Sequence, residues 1–152
     1  LCDDDGQIPE DFNTWEGEVV KAELARAGTV GWYRNPSRAS QDSLGVIYEE
    51  GDQAKIVRPD FLFFGKLPDG SVFADIVDPH GIQFGDAIPK LKGLAQYAET
   101  FGDRYRRIEV VAKIADKFRV LDLKDGTTRS AIASATSIKA LYESDAAFDY
   151  ST

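Results

Sequence analysis

Leu67-Pro68-Asp69-Gly70 is the segment that most restricts how this chain can fold. Proline presets φ at a turn corner, aspartate bonds back to nearby backbone, and glycine supplies a positive φ at no steric cost. The apolar stretches on either side, residues 55–64 and 71–78, then read as strands of an antiparallel hairpin. A second turn at Glu49-Glu50-Gly51-Asp52 joins a strand over residues 44–48 to the first of these, so a three-strand meander is expected. Pro59 interrupts the character of residues 55–64, and residues 71–78 are apolar enough to be central in a sheet.

The flanking segments supply helices and two further strands. Asn13 or Thr14 caps a helix that runs to about Arg26 and ends at Gly28, with Trp15, Val19 and Leu24 as its buried stripe. Val30 to Pro36 is a short extended piece stopped by proline, and residues 37–43 are a polar loop. After the meander come a helix over residues 86–100, strands over 107–114 and 117–123, a turn at Lys124-Asp125-Gly126, and a closing helix over 130–143. The order helix, three strands, helix, two strands, helix predicts an α/β fold with a central mixed five-stranded sheet and helices on its faces.

A chain of 152 residues is long enough for one domain with a real core. Residues 1–11 are polar and acidic, with Gly6 and Pro9, and read as a tail before a single domain over 12–152. The absence of methionine suggests a domain cut from a longer protein. No apolar run approaches the roughly 18 residues that cross a bilayer, so no membrane partner is expected. No signal-peptide pattern is present. Cys2, the single cysteine, cannot form an internal disulfide, and a cytoplasmic setting is expected.

The formal net charge of −8 argues against broad phosphate neutralisation. Arg34 with Arg38, and Arg104 with Arg106 and Arg107, nonetheless form local basic clusters. Each reads either as part of a basic face or as ordinary solvated surface.

The chemistry concentrates in Arg58-Pro59-Asp60 and in Ala74-Asp75-Ile76-Val77-Asp78-Pro79-His80-Gly81. A hairpin turning at residues 68–70 is expected to bring Asp60 and Asp75 together across the ladder. Two adjacent carboxylates repel one another, and a divalent cation relieves this. Oxygen ligands alone favour magnesium or manganese. Such an ion activates a water and stabilises charge on a phosphate. His80 is the only histidine, so zinc is disfavoured. It reads either as a contact to a phosphate or metal-bound water, or as a structural hydrogen bond. Asp78 is expected to point opposite to Asp75 and to cap or turn the chain before Pro79. Glu16 and Glu18 read either as an added site carboxylate or as an acidic first turn favoured by the helix dipole. No G-x-x-x-x-G-K-[ST] loop and no G-x-S-x-G elbow is present.

Pro59-Asp60 followed by an acidic residue on the next strand resembles the P-D-(D/E)-X-K nuclease signature. The order of elements resembles that family's core. The stretch from Trp32 to about Leu123 is similar to the C-terminal nuclease domain of type III restriction-type helicase subunits. Asp78-Pro79-His80-Gly81 and the helix carrying Lys90, Lys92 and Gly-Leu-Ala-Gln-Tyr-Ala at 93–98 point to that subgroup. The resemblance implies a restriction-endonuclease-like three-layer α/β/α fold. It also implies Mg2+- or Mn2+-dependent hydrolysis of DNA by an endonuclease of restriction or phage-defence type. Asp60 and Asp75 would be the metal ligands, DNA the partner, and a helicase domain would be linked in the full-length chain.

One departure matters. The family's lysine should stand two residues after its acidic residue, where this chain has Val77. Some members supply the lysine from the following helix, and Lys90 and Lys92 are the two choices here. Ile88, Leu91, Ala95 and Ala98 form the core stripe of that helix, with Lys90 beside it and Lys92 on the solvent side, so Lys90 is preferred. It would orient the attacking water or offset transition-state charge. Val77 and the acidic net charge favour the alternative, a catalytically degenerate nuclease fold that positions DNA or docks proteins. A metal-free glycosidase with paired carboxylates lacks any supporting motif.

Overall fold

The computed structural model describes Phe12, residues 14–81 and residues 87–150. The expected tail over 1–11, the cap at Asn13 and the helix start at residue 86 lie outside the described residues. The fold is mixed α/β. Its elements run α1 (Thr14–Ala25), β1 (Thr29–Arg34), β2 (Val46–Glu50), β3 (Gln53–Val57), β4 (Phe61–Lys66), β5 (Val72–Pro79) and α2 (Ala87–Phe101). A short 3-10 turn at Gly102–Arg104 leads to β6 (Arg107–Ile114), β7 (Lys117–Asp122), α3 (Gly126–Ser134), α4 (Ile138–Glu143) and β8 (Phe148–Asp149).

Six strands form one sheet in the order β1-β4-β5-β6-β7-β8, and β2 with β3 forms a separate hairpin. Only the β5–β6 pair is parallel; the other neighbours in the large sheet are antiparallel. A parallel pair needs a long crossover, and α2 provides it. Side chains alternate across the sheet. Phe61, Phe63, Val77, Val111 and Val120 meet Val19 and Val20 of α1 on one face. Ile76, Ile108, Val110, Leu121 and Leu123 meet Leu91, Leu94 and Ala98 of α2, Ile132 of α3 and Tyr142 of α4 on the other. Helices therefore cover both faces.

The expected meander does not form, and the sheet has six strands rather than five. Residues 55–64 are not one strand: they divide at Arg58-Pro59-Asp60 into β3, which pairs with β2, and β4, which pairs with β1 and β5. Proline cannot donate to a ladder and restricts the residue before it. Asn35, 5% exposed, locks the break in place. Its Nδ2 donates to the carbonyls of Pro59 (2.8 Å) and Leu44 (2.9 Å), and its Oδ1 accepts from the Leu44 amide (2.8 Å). Its own amide donates to the Asp60 carbonyl (2.8 Å). The extended piece after Gly28 becomes the edge strand β1, and β8 supplies the opposite edge. The closing helix is likewise two helices, because Asp125 and Ser137 each cap a separate start.

The β2–β3 hairpin packs on α2. Val46, Tyr48 and Val57 enter the core on that side, while the cross-strand pair Ile47 and Ile56 stays exposed. The hairpin thus walls the end of the sheet where β4 begins and β5 ends.

Candidate functional site

The turn at residues 67–70 sets the β4–β5 register, running from Lys66 opposite Val72 to Phe61 opposite Val77. One further step places Asp60 beside Asp78, and the Asp60 amide donates to Asp78 Oδ1 at 2.8 Å. Asp78 is 3% exposed. Burial, then the nearby Asp78 and Glu16 carboxylates, push the Asp60 carboxyl up to about 7, against smaller opposing pulls from Arg34 and His80. Two carboxylates are therefore held together at a point where their charge is poorly solvated.

Other groups converge on them. The His80 amide donates to the Val111 carbonyl (2.7 Å), which carries the chain past Pro79 and sets His80 Nδ1 3.7 Å from Asp78 Oδ2. Lys90 stands in the first turn of α2. Arg58, Asp60, Asp78, His80 and Lys90, with Ile56 of the hairpin, line one cavity of about 260 Å3. Glu16 lies on the α1 side, 3.7 Å from the Arg34 guanidinium, and acts on Asp60 through its charge. Glu18 is exposed. Lys92 lines a different groove of about 340 Å3 with Gln96, Glu99 and Arg129, so Lys90 is the helix lysine at this cavity.

Asp75 does not join them. Its cross-strand partner is Phe63, three residues from Asp60, and that odd offset sends the two carboxylates to opposite faces. Asp75 is 0% exposed and already compensated. Arg106 reaches it through Nε (3.1 Å) and Nη2. Arg107 reaches it through its amide (3.1 Å), Nε (3.0 Å) and Nη2 (2.7 Å), and also pairs with Glu23 and Glu109. A carboxylate saturated by two guanidinium groups offers no vacancy to a cation. Arg106 and Arg107, one expected basic cluster with Arg104, are thus largely committed to buried carboxylates. Val77 lies in the core on the α1 side, so it does not face the cavity as expected.

Sequence reasoning missed Asp78 as the partner of Asp60, Arg58 as a cavity residue, and Asn35 as the clip behind them. The register of a hairpin closed tightly at residues 67–70 was the signal for Asp78. Among the described residues, no group of three or more His, Cys, Asp or Glu side chains gathers closely enough to hold a metal ion by itself. Among the same residues, no helix is long and apolar enough to cross a membrane.

These features define a mixed α/β protein with a carboxylate pair at the rim of its sheet. The chain belongs to the YagJ family, which it matches over residues 1–151. It is 50% identical over 150 residues to protein YagJ of Escherichia coli (strain K12), in an alignment that covers 99% of this chain and 61% of that protein. No solved structure matches the chain.

Proposed function

We propose that this chain is a divalent-metal-dependent DNA phosphodiesterase domain of the restriction-endonuclease-like type, with Asp60 and Asp78 as its carboxylate pair. The observation that carries this reading is convergence. Asp60 from the β3–β4 break, Asp78 from β5 and Lys90 from α2 line one cavity. A mixed sheet with helices on both faces and Pro59-Asp60 at its rim supports the resemblance to P-D-(D/E)-X-K nucleases.

The donor set fits a hard cation. The Asp60 carboxyl, raised to about 7, marks a site where negative charge is poorly relieved. Two carboxylates suit Mg2+ or Mn2+, which keep water and substrate oxygens as their remaining ligands. A bound ion there supplies Lewis acidity and lowers the pKa of a coordinated water. The chain's own groups do the rest. Asp78 fixes Asp60 through the Asp60 amide. Lys90 offsets the charge that develops on the phosphoryl oxygens. Ile56 and Val57 of the hairpin form part of the cavity wall. A restriction or phage-defence role and a linked helicase rest on the family resemblance. This chain spans about 61% of its E. coli relative, so the activity of a whole protein belongs to the same proposal.

Plasmid and linear DNA incubated with Mg2+ or Mn2+ test it. Wild type cleaves, while Asp60→Asn, Asp78→Asn and Lys90→Ala each lose roughly a hundredfold or more, and Lys92→Ala does not. Equal cleavage by wild type and Asp60→Asn sinks the reading. His80 stands two residues after Asp78, where the resemblance expects lysine, and this favours a second reading: a degenerate module that binds the ion and DNA without cutting. Calorimetric Mn2+ binding that requires Asp60 and Asp78, with no cleavage of any DNA, selects it.

A further inference from the structure

The metal reading leaves two features of the cavity unused. Among the described residues, Arg58 Nε and His80 Nε2 are buried and have no hydrogen-bond partner. Both residues line the cavity that holds Asp60 and Asp78. Buried polar atoms in folded proteins are nearly always satisfied, so two orphans in one cavity point to an absent ligand.

The chemistry of the orphans narrows that ligand. A guanidinium N–H only donates and stays charged at all accessible pH, so the group that completes Arg58 is an acceptor, best an anion. His80, which also lines the cavity, turns Nδ1 toward Asp78, and its Nε2 is buried without a partner. Lys90 adds a cation to the same wall. Planar, forked donors of the arginine type suit phosphoryl oxygens. Arg58 is also held in position. Val57 before it is anchored in the core and Pro59 after it restricts its backbone. The space of about 260 Å3 lies just below the roughly 300–1,000 Å3 of typical ligand pockets and admits a phosphoryl group with room to spare. With a net charge of −8, the chain gains little from a broad electrostatic footprint, so a local contact of this kind would matter more.

We infer that Arg58 and His80 form a phosphoryl-binding subsite beside the carboxylate pair, with the Arg58 guanidinium donating to a phosphoryl oxygen. As a subsite for substrate, it rests on the phosphodiesterase reading above. Arg58 is then a substrate-binding residue that places the phosphoryl group against Asp60 and Asp78.

The test uses the whole chain in EDTA, so that no metal contributes. Inorganic phosphate and thymidine 5′-monophosphate are titrated separately while the arginine Nε–H resonances are followed by NMR. One resonance, absent from the spectrum of Arg58→Lys, is expected to shift saturably. Arg58→Lys and Arg58→Gln should bind at least tenfold more weakly, with Lys92→Gln unchanged. Saturation by both probes shows that the phosphoryl group alone suffices. Saturation by the nucleotide alone shows that the nucleoside is needed as well. Either result supports the subsite. No saturation by either probe, or equal binding by Arg58→Gln and wild type, overturns it. If a variant fails to fold, the Nε–H shift in wild type decides. Cleavage lost with phosphate binding retained condemns the phosphodiesterase reading alone, whereas cleavage with no Arg58-dependent binding condemns the subsite alone.

Discussion

Asp75 and Asp78 stand three residues apart on one strand, and the sheet sends them to opposite faces. Asp75 meets two partly exposed guanidinium groups, Arg106 and Arg107, in a network whose carboxylates, Asp75 and Glu23, are fully buried. Removing its charge takes the carboxylate from Arg106 and leaves Arg107 to Glu23 and Glu109. Because both guanidinium groups are partly exposed, the loss should fall below the roughly 3–5 kcal/mol of a fully buried pair, at about 2–3 kcal/mol. Asp75→Asn should therefore lower the urea midpoint sharply. Asp78→Asn keeps an oxygen for the Asp60 amide and removes a like charge from its neighbour, so it should change stability by less than about 1 kcal/mol. Equal losses in the two variants would contradict the division of roles. The presence of a carboxylate pair at this hairpin, and Asp60 as one member, was legible in the sequence. The identity of the second member was not, because a register shift of one residue moves every side chain to the other face. Lys90 was legible over Lys92 as the lysine at this cavity, although Lys92 does not face solvent as expected: both are half-buried, and Lys92 lines a groove with Arg129 and Ile132 of α3. The ends of Arg106 and Arg107 were not, because their partners lie on distant elements.

The element that shapes the cavity is the β2–β3 hairpin, and two close contacts add to the core packing of Val46, Tyr48 and Val57 that holds it. Gly93 of α2 lies so close to Tyr48 of β2 that an added Cβ would sit well inside van der Waals contact with the Tyr48 Cβ. Gly93→Ala gains helix propensity, about 0.5–1 kcal/mol. It must also push the hairpin away, and overpacking of this kind costs about 1–3 kcal/mol. A net loss of stability is expected, with faster amide exchange in residues 46–57 and, on the proposed phosphodiesterase reading, weaker cleavage, because Val57 and Arg58 would move with the hairpin. Unchanged exchange there would show that the hairpin is held by other means. Asn35→Ala removes three side-chain hydrogen bonds that join β1, Leu44 and Pro59, and should cost about 2–4 kcal/mol by denaturant unfolding. The strands β5, β6 and β7 and the helix α2 were legible as elements because their apolar patterns are local. The division of residues 55–64 was only half legible. Pro59 marked a weakness, but the chain takes two sheets there because Asn35, 24 residues away in sequence, captures the Pro59 carbonyl.

Across the whole molecule, buried acids set the response to pH. Glu109 on β6 is 7% exposed, and burial pushes its carboxyl from 4.5 up to about 7. Arg107 and Arg26 pull it down, while Glu23 and its cross-strand neighbour Asp122 push it up. Asp60 rises from 3.8 to about 7 for the same leading reason. A carboxyl whose folded pKa exceeds its unfolded one binds a proton in the native chain that the unfolded chain has released. Its stabilising contribution is full below its unfolded value and is lost as pH rises through the folded value. Asp69, Asp125 and Asp149 shift the other way, but their contributions fade only as pH falls below about 4. Unfolding free energy should therefore peak near pH 4 and decline toward pH 8 by on the order of 1–3 kcal/mol. Glu109→Gln should flatten part of that decline, since a neutral amide keeps the burial without the titration. On the proposed metal reading, millimolar Mg2+ should restore stability more at pH 8 than at pH 5, because an ion at Asp60 would compete with the proton, and Asp60→Asn should abolish that difference. Urea titrations at half-unit pH steps measure both effects. A stability that rises from pH 5 to pH 8 in wild type would place these two carboxyls in solvent rather than in the protein.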